Sequence, residues 1–403
     1  MGGPRSRRLG SWRHPVTRAG GVVVVGGGIA GLSTAFHLAL AGARVTLIER
    51  ESSVGRGSSA KSAGILRTVL EVPGTGELAA RGAELLRHPP AELGASSFVD
   101  PVGLLLVAHE EAPAAALEQC LGAFSAGQPQ ARVEALDSAG ALALAPRLAA
   151  PPTAAFHLPE EGHLRVPELL GALESALTEL GVPILRGQPV TELLIRAENV
   201  EGVRLGGGRE LEAEAVCLAT GGFANALAAE AGSPLRFLPT RRHLVVQPGP
   251  KPSATRSSVV WNSGPEFYSR WNGDGWMLCA CDEKLDDPTR GEPADSTSAA
   301  DVQEVERTLA AALKQLRAGT LAAGPTRRAW SGLRTFARAD SGAADMRFTL
   351  GGDPALTGLF WCAGLGGHGM TCGLAAGEVT AELILGRRSR PPAGSTLQGR
   401  LRA

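Results

Sequence analysis

Three glycines, Gly26, Gly28 and Gly31, follow the apolar run Val22 to Val25 and open a helical pattern, "IAGLSTAFHLALAG", that Gly42 ends. The next apolar run, "RVTLIE", closes on Glu49, with Arg50 behind it. Strand, glycine turn, helix, strand and acid within about thirty residues is the context a dinucleotide site requires. Gly26 permits the tight turn, Gly28 lets backbone approach a pyrophosphate, and Gly31 lets the helix pack close to the sheet. Free amides at the helix start, around Ile29 and Ala30, face phosphate. Glu49 can accept hydrogen bonds from ribose hydroxyls.

Two further stretches carry polar or glycine-rich chemistry. "SSVGRGSSAKSAGILR" places Ser58, Ser59 and Lys61 where they could reach phosphate or a cofactor ring edge, and ends on the basic Arg67. "GLGGHGMTCGLAAGEV" contains Gly364, Gly366, Gly367, His368, Gly369, Met370 and Thr371. It lacks a following strand with its closing acid, so it is not a second dinucleotide turn. Its glycines let backbone come close to a flat ligand, and its helix start presents amides and a positive dipole end.

The elements that must position these groups are legible in outline. "VPELLGALESALTELGVPI" is an amphipathic helix, with Leu169, Leu170, Leu173 and Leu177 at helical spacing. Residues 75–150 read as helical around the short strand "VGLLLVAH". A strand–loop–strand series follows from 189 to 222, and alternation from Leu235 to Cys281 predicts an antiparallel sheet. Residues 282–301 form a polar loop, and a helix is expected from Val302 to Leu316.

The chain has 403 residues and 53 glycines spread without period, 44% hydrophobic content and a single tyrosine, so it is a globular protein of two or three units with an aliphatic core. Forty basic and forty acidic residues cancel, and nothing global favours nucleic acid. No apolar run is long enough for a spanning helix. Six cysteines without metal-type spacing read as reduced core thiols, and no metal is expected. Residues 1–20 carry five arginines and no acid: a disordered basic leader, with an organelle presequence as the minor reading. The expected compartment is cytoplasmic.

The whole pattern resembles the D-amino-acid-oxidase superfamily of FAD enzymes, which includes glycine oxidase, sarcosine oxidase and bacterial D-amino-acid dehydrogenases. Four pieces carry the resemblance: the N-terminal motif through Glu49, "GSSAKSAGILR", "GVPILRGQPVTEL…AVCLATGGF", and "AWSGLR…GLFWCAGLGGHGMTCGLAAGE". "PTRRHLVV", "FYSR" and "AWSGLRTF" are most similar to the D-arginine dehydrogenase branch.

The resemblance implies an α/β, two-domain (α+β) fold, in which a Rossmann-like FAD domain joins a substrate domain built on a mixed or antiparallel sheet. The FAD domain would take residues 21–90, 155–235 and 325–390, and the substrate domain 91–154 and 236–324, with a tail at 391–403. Val190, at the end of its strand, would contact the adenosine, and Ala219 to Gly221 would pass near the cofactor phosphates. Lys61 stands where a histidyl-linked member carries histidine, and the Arg334 region lacks a cysteine, so FAD is expected to be non-covalent.

Arg242 and Arg334 match the family's carboxylate-binding positions, and bidentate arginine suits that grip. Tyr268 matches the tyrosine that closes the pocket; Arg67 is a further basic candidate. His368 is read as a substrate contact or as packing against the flavin. Leu104 occupies the place of the acid that reads a guanidinium in the D-arginine branch, and Ile65 and Leu70 are also apolar. A buried cation unpaired there would be costly.

The expected reaction is therefore hydride transfer from the α-carbon of a neutral or apolar D-amino acid to flavin N5, with oxygen or a quinone as final acceptor. Secondary amines, 2-hydroxy acids, and a catalytically silent flavoprotein subunit are the alternatives. The chain is expected as a monomer or homo-oligomer, or as a subunit of a complex.

Overall fold

A computed structural model describes residues 21–72, 74–146, 148, 150–249, 251, 259–288, 297–315 and 325–397. The basic leader, part of the polar loop (289–296), the expected helix end at Leu316 and the end of the tail lie outside the described residues.

The run at Val22 is fully apolar because its strand is covered on both faces. Gly21–Val25 lies inside a six-stranded sheet ordered Thr349–Gly352, Leu359–Ala363, Ala215–Leu218, Gly21–Val25, Arg44–Ile48, Ile184–Leu185. Its strands pair in parallel except for the outermost hairpin, Thr349–Gly352 with Leu359–Ala363. Val22 and Val24 point into a core shared with the helices Ile29–Leu40, Val166–Glu179 and Gly369–Ile384. Val23 and Val25 point into a second core, completed by the antiparallel meander Val190–Arg196, Asn199–Leu205 and Glu210–Glu212. Burial on both faces is the rule for parallel sheets.

Two helices of this layer approach far closer than side chains normally allow. A Cβ on Gly373 would stand 2.5 Å from Ile29 Cγ1, and one on Gly377 would stand 2.2 Å from Ser33 Oγ. Ser33 Oγ donates to Leu374 O at 3.0 Å across the contact. This crossing sets the start of Ile29–Leu40 beside the start of Gly369–Ile384, segments 340 positions apart in the chain.

The second large layer is a ten-stranded sheet. From one edge it runs Ala344–Asp345, Arg328–Arg338, Phe237–Gln247, Trp276–Cys279, Phe267–Trp271, Val259–Ser263, Leu104–Ala108, Ala154–Leu158, Glu134–Ala135, and Lys284–Leu285 pairs with Phe237–Gln247. The antiparallel alternation expected from Leu235 to Cys281 is found here. Val259–Ser263 and Leu104–Ala108 are a parallel pair within it. Helices Gly76–Arg87, Glu111–Gly127 and Ser138–Leu144 flank that inner strand in sequence, and Ala299–Gln315 replaces the expected start at Val302.

Two strands that the sequence reading sets at or within the cofactor part lie in the second sheet. Arg328–Arg338, placed by sequence in the cofactor part, pairs along ten positions with Phe237–Gln247 and belongs to the second sheet. Ala154–Leu158 shares that sheet rather than opening the cofactor part at 155. Period-two alternation identifies a strand but does not say which sheet receives it. Val190 begins its strand rather than ending it. Among the described residues, no helix is long and apolar enough to cross a membrane.

Candidate active site

The site is built where the two layers meet. At the first glycine turn, Gly26 takes φ +107°, and a Cβ there would lie 2.5 Å from Ala219 O. A Cβ on Gly31 would lie 1.8 Å from Gly26 O, so helix and turn close only with glycine. Ala219 N–H donates to Val25 O at 2.8 Å, which brings the Ala219 to Gly221 segment against the turn. Glu49 accepts from Gly27 N–H at 2.6 Å and from Glu51 N–H at 2.8 Å, so its carboxylate faces the turn. Ser59 Oγ accepts from Ile29 N–H at 3.0 Å. Gly28, the residue before helix Ile29–Leu40, brings no capping side chain.

The loop and the C-terminal helix tie this cradle to the second sheet. Ser58 Oγ donates to Leu333 O at 2.6 Å, and Trp330 Nε1 donates to Lys61 O at 3.1 Å. A Cβ on Gly367 would meet Arg334 Nε at 2.3 Å, and Gly369 lies against Ile29. Thr371, in the first turn of Gly369–Ile384, accepts from Arg67 N–H at 3.4 Å. Neither an acid nor a capping side chain occupies that helix start. Two helix N-termini, a carboxylate and three glycine close approaches thus form one continuous cradle.

The sequence candidates Gly26, Gly28, Ile29, Ala30, Gly31, Glu49, Ser59 and Ala219 meet here, with Gly364, Gly366, Gly367, Gly369, Met370 and Thr371 at the other end. Arg50 instead stacks on Phe223, 3.5 Å from the ring centre, and pairs with Glu51. Val190 packs on the meander core, two residues beyond Gln188, whose N–H donates to Glu49 O at 3.0 Å.

Beside the cradle lies a cluster of buried cations. Arg242 donates from Nη2 to Cys281 O at 3.1 Å and to Glu283 Oε1 at 2.8 Å, while its buried Nη1 has no partner. Arg334 Nη1 lies 3.7 Å from the same Glu283 carboxylate. Burial and the neighbouring Arg242 charge hold the Arg334 guanidinium below its ordinary value. Arg67 lies over the Trp261 ring at 4.4 Å and pairs with Glu71; its buried Nε has no partner. Trp261 stacks on Tyr268 with centroids 4.5 Å apart. Burial pushes the Tyr268 hydroxyl well up, despite Arg242 and Arg334. At His368, loss of water and then the charges of Arg334, Arg67 and Arg242 hold the imidazole well below the usual histidine range. It is a neutral ring among three cations.

The match to the family model for FAD dependent oxidoreductases (DAO) covers residues 21–383. The chain belongs to this family. FAD is its cofactor, and the cradle fits it: paired helix starts for phosphate and ring oxygens, and Glu49 for ribose.

Glycine oxidase of Geobacillus kaustophilus is 30% identical over 240 residues, 57% of this chain and 62% of that protein. Its crystal structure superposes with a TM-score of 0.73 at 25% identity, covering 91% of this chain and 95% of that one. The pyruvate dehydrogenase phosphatase regulatory subunit of Mus musculus is 24% identical over 90% of this chain and 41% of its own length. The chain therefore spans less than two thirds of these curated relatives. L-proline dehydrogenase from P. horikoshii shares the fold, with a TM-score of 0.76 at 23% identity over 91% of this chain and 93% of that one.

Sequence reasoning missed Trp261, Glu283, Glu71 and the pair Cys279 and Cys281. Their neighbourhood arises from sheet register, Tyr268 opposite Cys279, which no local pattern announces.

Proposed function

We propose that this FAD-dependent oxidoreductase oxidises the α-carbon–nitrogen bond of an amino acid, preferring a neutral or apolar D-amino acid. A hydride and a proton leave the substrate, and the resulting imino acid hydrolyses to a 2-oxo acid. The observation that carries this reading is the pair Arg242 and Arg334, buried side by side with an unpartnered Nη1. A substrate carboxylate would satisfy that N–H and displace Glu283, whose side chain is 49% exposed. FAD, held non-covalently, supplies the hydride acceptor.

The chain's own residues then orient and exclude. Two guanidiniums fix the carboxylate end. Tyr268 and Trp261 form a stacked wall beside it. Neutral His368 adds no charge and leaves the amine free to lose its proton to solvent before transfer. Leu104 and Ile65 join Tyr268, Trp261 and Cys279 in one apolar cluster, which supports a non-basic side chain. Glycine oxidase among the relatives supports amine chemistry.

The test is anaerobic bleaching of the bound flavin by a panel of D- and L-amino acids, sarcosine, proline and 2-hydroxy acids, with oxygen then admitted. Bleaching by D-leucine, D-methionine or D-alanine well ahead of D-arginine is expected. Faster bleaching by D-arginine removes the apolar preference. Bleaching by sarcosine or hydroxy acids alone shifts the reaction class, and no bleaching by any substrate leaves a silent flavoprotein.

A further inference from the structure

Arg241, Arg242 and His243 follow one another on the strand Phe237–Gln247, and each holds the same short segment, Cys281 to Asp286. That segment interrupts the sheet. Val245 to Gln247 pair with Trp276 to Leu278, and Thr240 and Arg241 pair with Leu285 and Lys284. Between these pairings residues 279–283 stand against 242–244, so the longer side must bulge out of the ladder. In the bulge Cys281 takes φ +52°, left-handed backbone that a residue with a side chain keeps only where its surroundings fix it.

Asp282 supplies the fixing. Its Oδ1 accepts from the His243 N–H at 3.1 Å, the backbone donor that the interrupted ladder leaves open, and its Oδ2 lies 2.6 Å from His243 Nδ1. His243 is 2% exposed, so its ring cannot turn away to water. With the Asp282 carboxylate held at both oxygens, two carbonyls of the bulge reach Arg242: Asp282 O accepts from Nε at 3.3 Å and Cys281 O from Nη2 at 3.1 Å. At the far end Arg241 Nε donates to Asp286 Oδ2 at 2.9 Å, and the Asp286 N–H donates to Pro239 O at 2.9 Å. The remaining partner of Arg242 is Glu283, at 2.8 Å and with a half-exposed side chain, which would leave for an incoming carboxylate. The two carbonyls would stay. They hold the guanidinium along its Nε and Nη2 side, and Nη1 is left buried and unpartnered.

We propose that Asp282, clamped by His243, is a positioning residue for the substrate carboxylate: through the Cys281 and Asp282 carbonyls it keeps Arg242 aligned with Nη1 open to the site. The inference rests on the reading of Arg242 as a carboxylate grip. Successive side chains of a strand point to opposite faces, so His243 draws the Asp282 carboxylate toward the face that Arg242 does not use. Asp282 therefore acts on the ligand only through Arg242. A guanidinium already aligned loses little freedom when a carboxylate arrives, so its charged hydrogen bonds appear as affinity rather than being offset by ordering. Without the tether the bulge loses the contact that keeps Cys281 left-handed, its carbonyls turn, and the fork of Arg242 is free to swing with Glu283.

The experiment uses the full chain with FAD bound and reads the Kd of propionate from the perturbation of flavin absorbance. Wild type, Asp282→Ala, Asp282→Asn, Arg242→Lys and the double variant Asp282→Ala with Arg242→Lys are compared. Asp282→Ala should weaken propionate about tenfold, the scale of one hydrogen bond to a charged group. Asp282→Asn, which keeps the size and one acceptor, should lose less. KM for the amino acid that bleaches the flavin fastest should rise with the propionate Kd, with a smaller change in kcat. In the Arg242→Lys background the Asp282→Ala change should add less than about twofold, because changes that act through one partner are not additive. Arg242→Lys weakened but both Asp282 variants equal to wild type overturns the positioning role and leaves the grip standing. A full additional loss in the double variant also overturns it, since Asp282 then acts on the fold at large. Unchanged propionate affinity in Arg242→Lys overturns the grip and the positioning role together. Where Asp282→Ala yields no FAD-bound protein, Asp282→Asn, alone and with Arg242→Lys, decides by the same comparisons.

Discussion

Arg242 is pinned at Nη2 and idle at Nη1. The geometry asks for a planar, forked ligand partner, which an ammonium cannot supply. Arg242→Lys should keep the charge and lose the fork. A charged hydrogen bond is worth roughly 1.5–3 kcal/mol, so KM should rise about ten- to a hundredfold. Competitive simple carboxylates should weaken by a similar factor, read from the perturbation of flavin absorbance they cause. A variant with unchanged KM and unchanged carboxylate affinity would place the α-carboxylate elsewhere.

Glu161 works at the same scale but at one remove. It is 2% exposed, and its Oε1 accepts from the Thr68 N–H at 3.0 Å and from the Thr68 hydroxyl. Thr68 follows Arg67, so this carboxyl anchors the loop carrying one of the three cations. Burial raises its carboxyl from 4.5 to about 7, against the Thr68 hydrogen bonds and the charges of Arg87 and Arg67. The folded state therefore binds this proton more tightly than the unfolded chain. Its contribution is complete below about pH 4.5 and is lost as pH rises through about 7. The shift corresponds to a quantity on the order of 3 kcal/mol. Glu161→Gln cannot titrate. The stability gap, wild type minus variant, should shrink from pH 5 to pH 8 in thermal melts; a gap flat across that range would contradict the assignment.

At the scale of elements, the crossing of Ile29–Leu40 and Gly369–Ile384 decides whether a site exists. A Cβ at Gly377 would stand 2.2 Å from Ser33 Oγ and 2.6 Å from its backbone carbon. Backbone cannot yield as a flexible side-chain tip can, so Gly377→Ala must spread the helices. Overpacking of this kind costs typically 1–3 kcal/mol. The melting temperature should fall and FAD should be retained less well through gel filtration, because the two helix starts no longer face one ligand. Full FAD content with an unchanged melt would show that the crossing is not limiting.

The same element marks the boundary of what could be read without coordinates. The strand, glycine turn, helix and closing acid at Val22 to Glu49 were legible because each step has a local signature. The apolar helix at Gly369 was legible as a helix, and its glycines as close approaches, but not the helix they approach. Arg328–Arg338 is a strand whose partner Phe237–Gln247 is some ninety positions away. Arg242 and Arg334 are legible as candidates through resemblance, while Cys279 reads only as a reduced core thiol. What sets Cys279 beside Tyr268 is the register of two neighbouring strands. Such neighbourhoods are set by global pairing, which local periodicity does not encode.

For the molecule as a whole, the cradle joins the two ends of the chain. Gly26 to Gly31 and Glu49 come from the N-terminal unit, Ala219 from the middle, and Gly364 to Thr371 from the loop before the last helix and its first turn. FAD bound across them, as proposed, would be a non-covalent tie between segments that otherwise meet through one glycine crossing and the sheet order. A ligand that binds only the folded state stabilises by about 2.7 kcal/mol at a hundred times its Kd. The tie should also be local. Removing FAD should lower the melting temperature, and added FAD should restore it in a concentration-dependent way. Amide exchange should rise most at 26–33 and 364–377, where helix starts lose their partner. It should change little in the meander Val190–Leu205, which is paired strand to strand and packed on its own core. Uniform loss of protection would instead mean that the cofactor holds the entire fold, and an unchanged pattern at both helix starts would separate them from the FAD site.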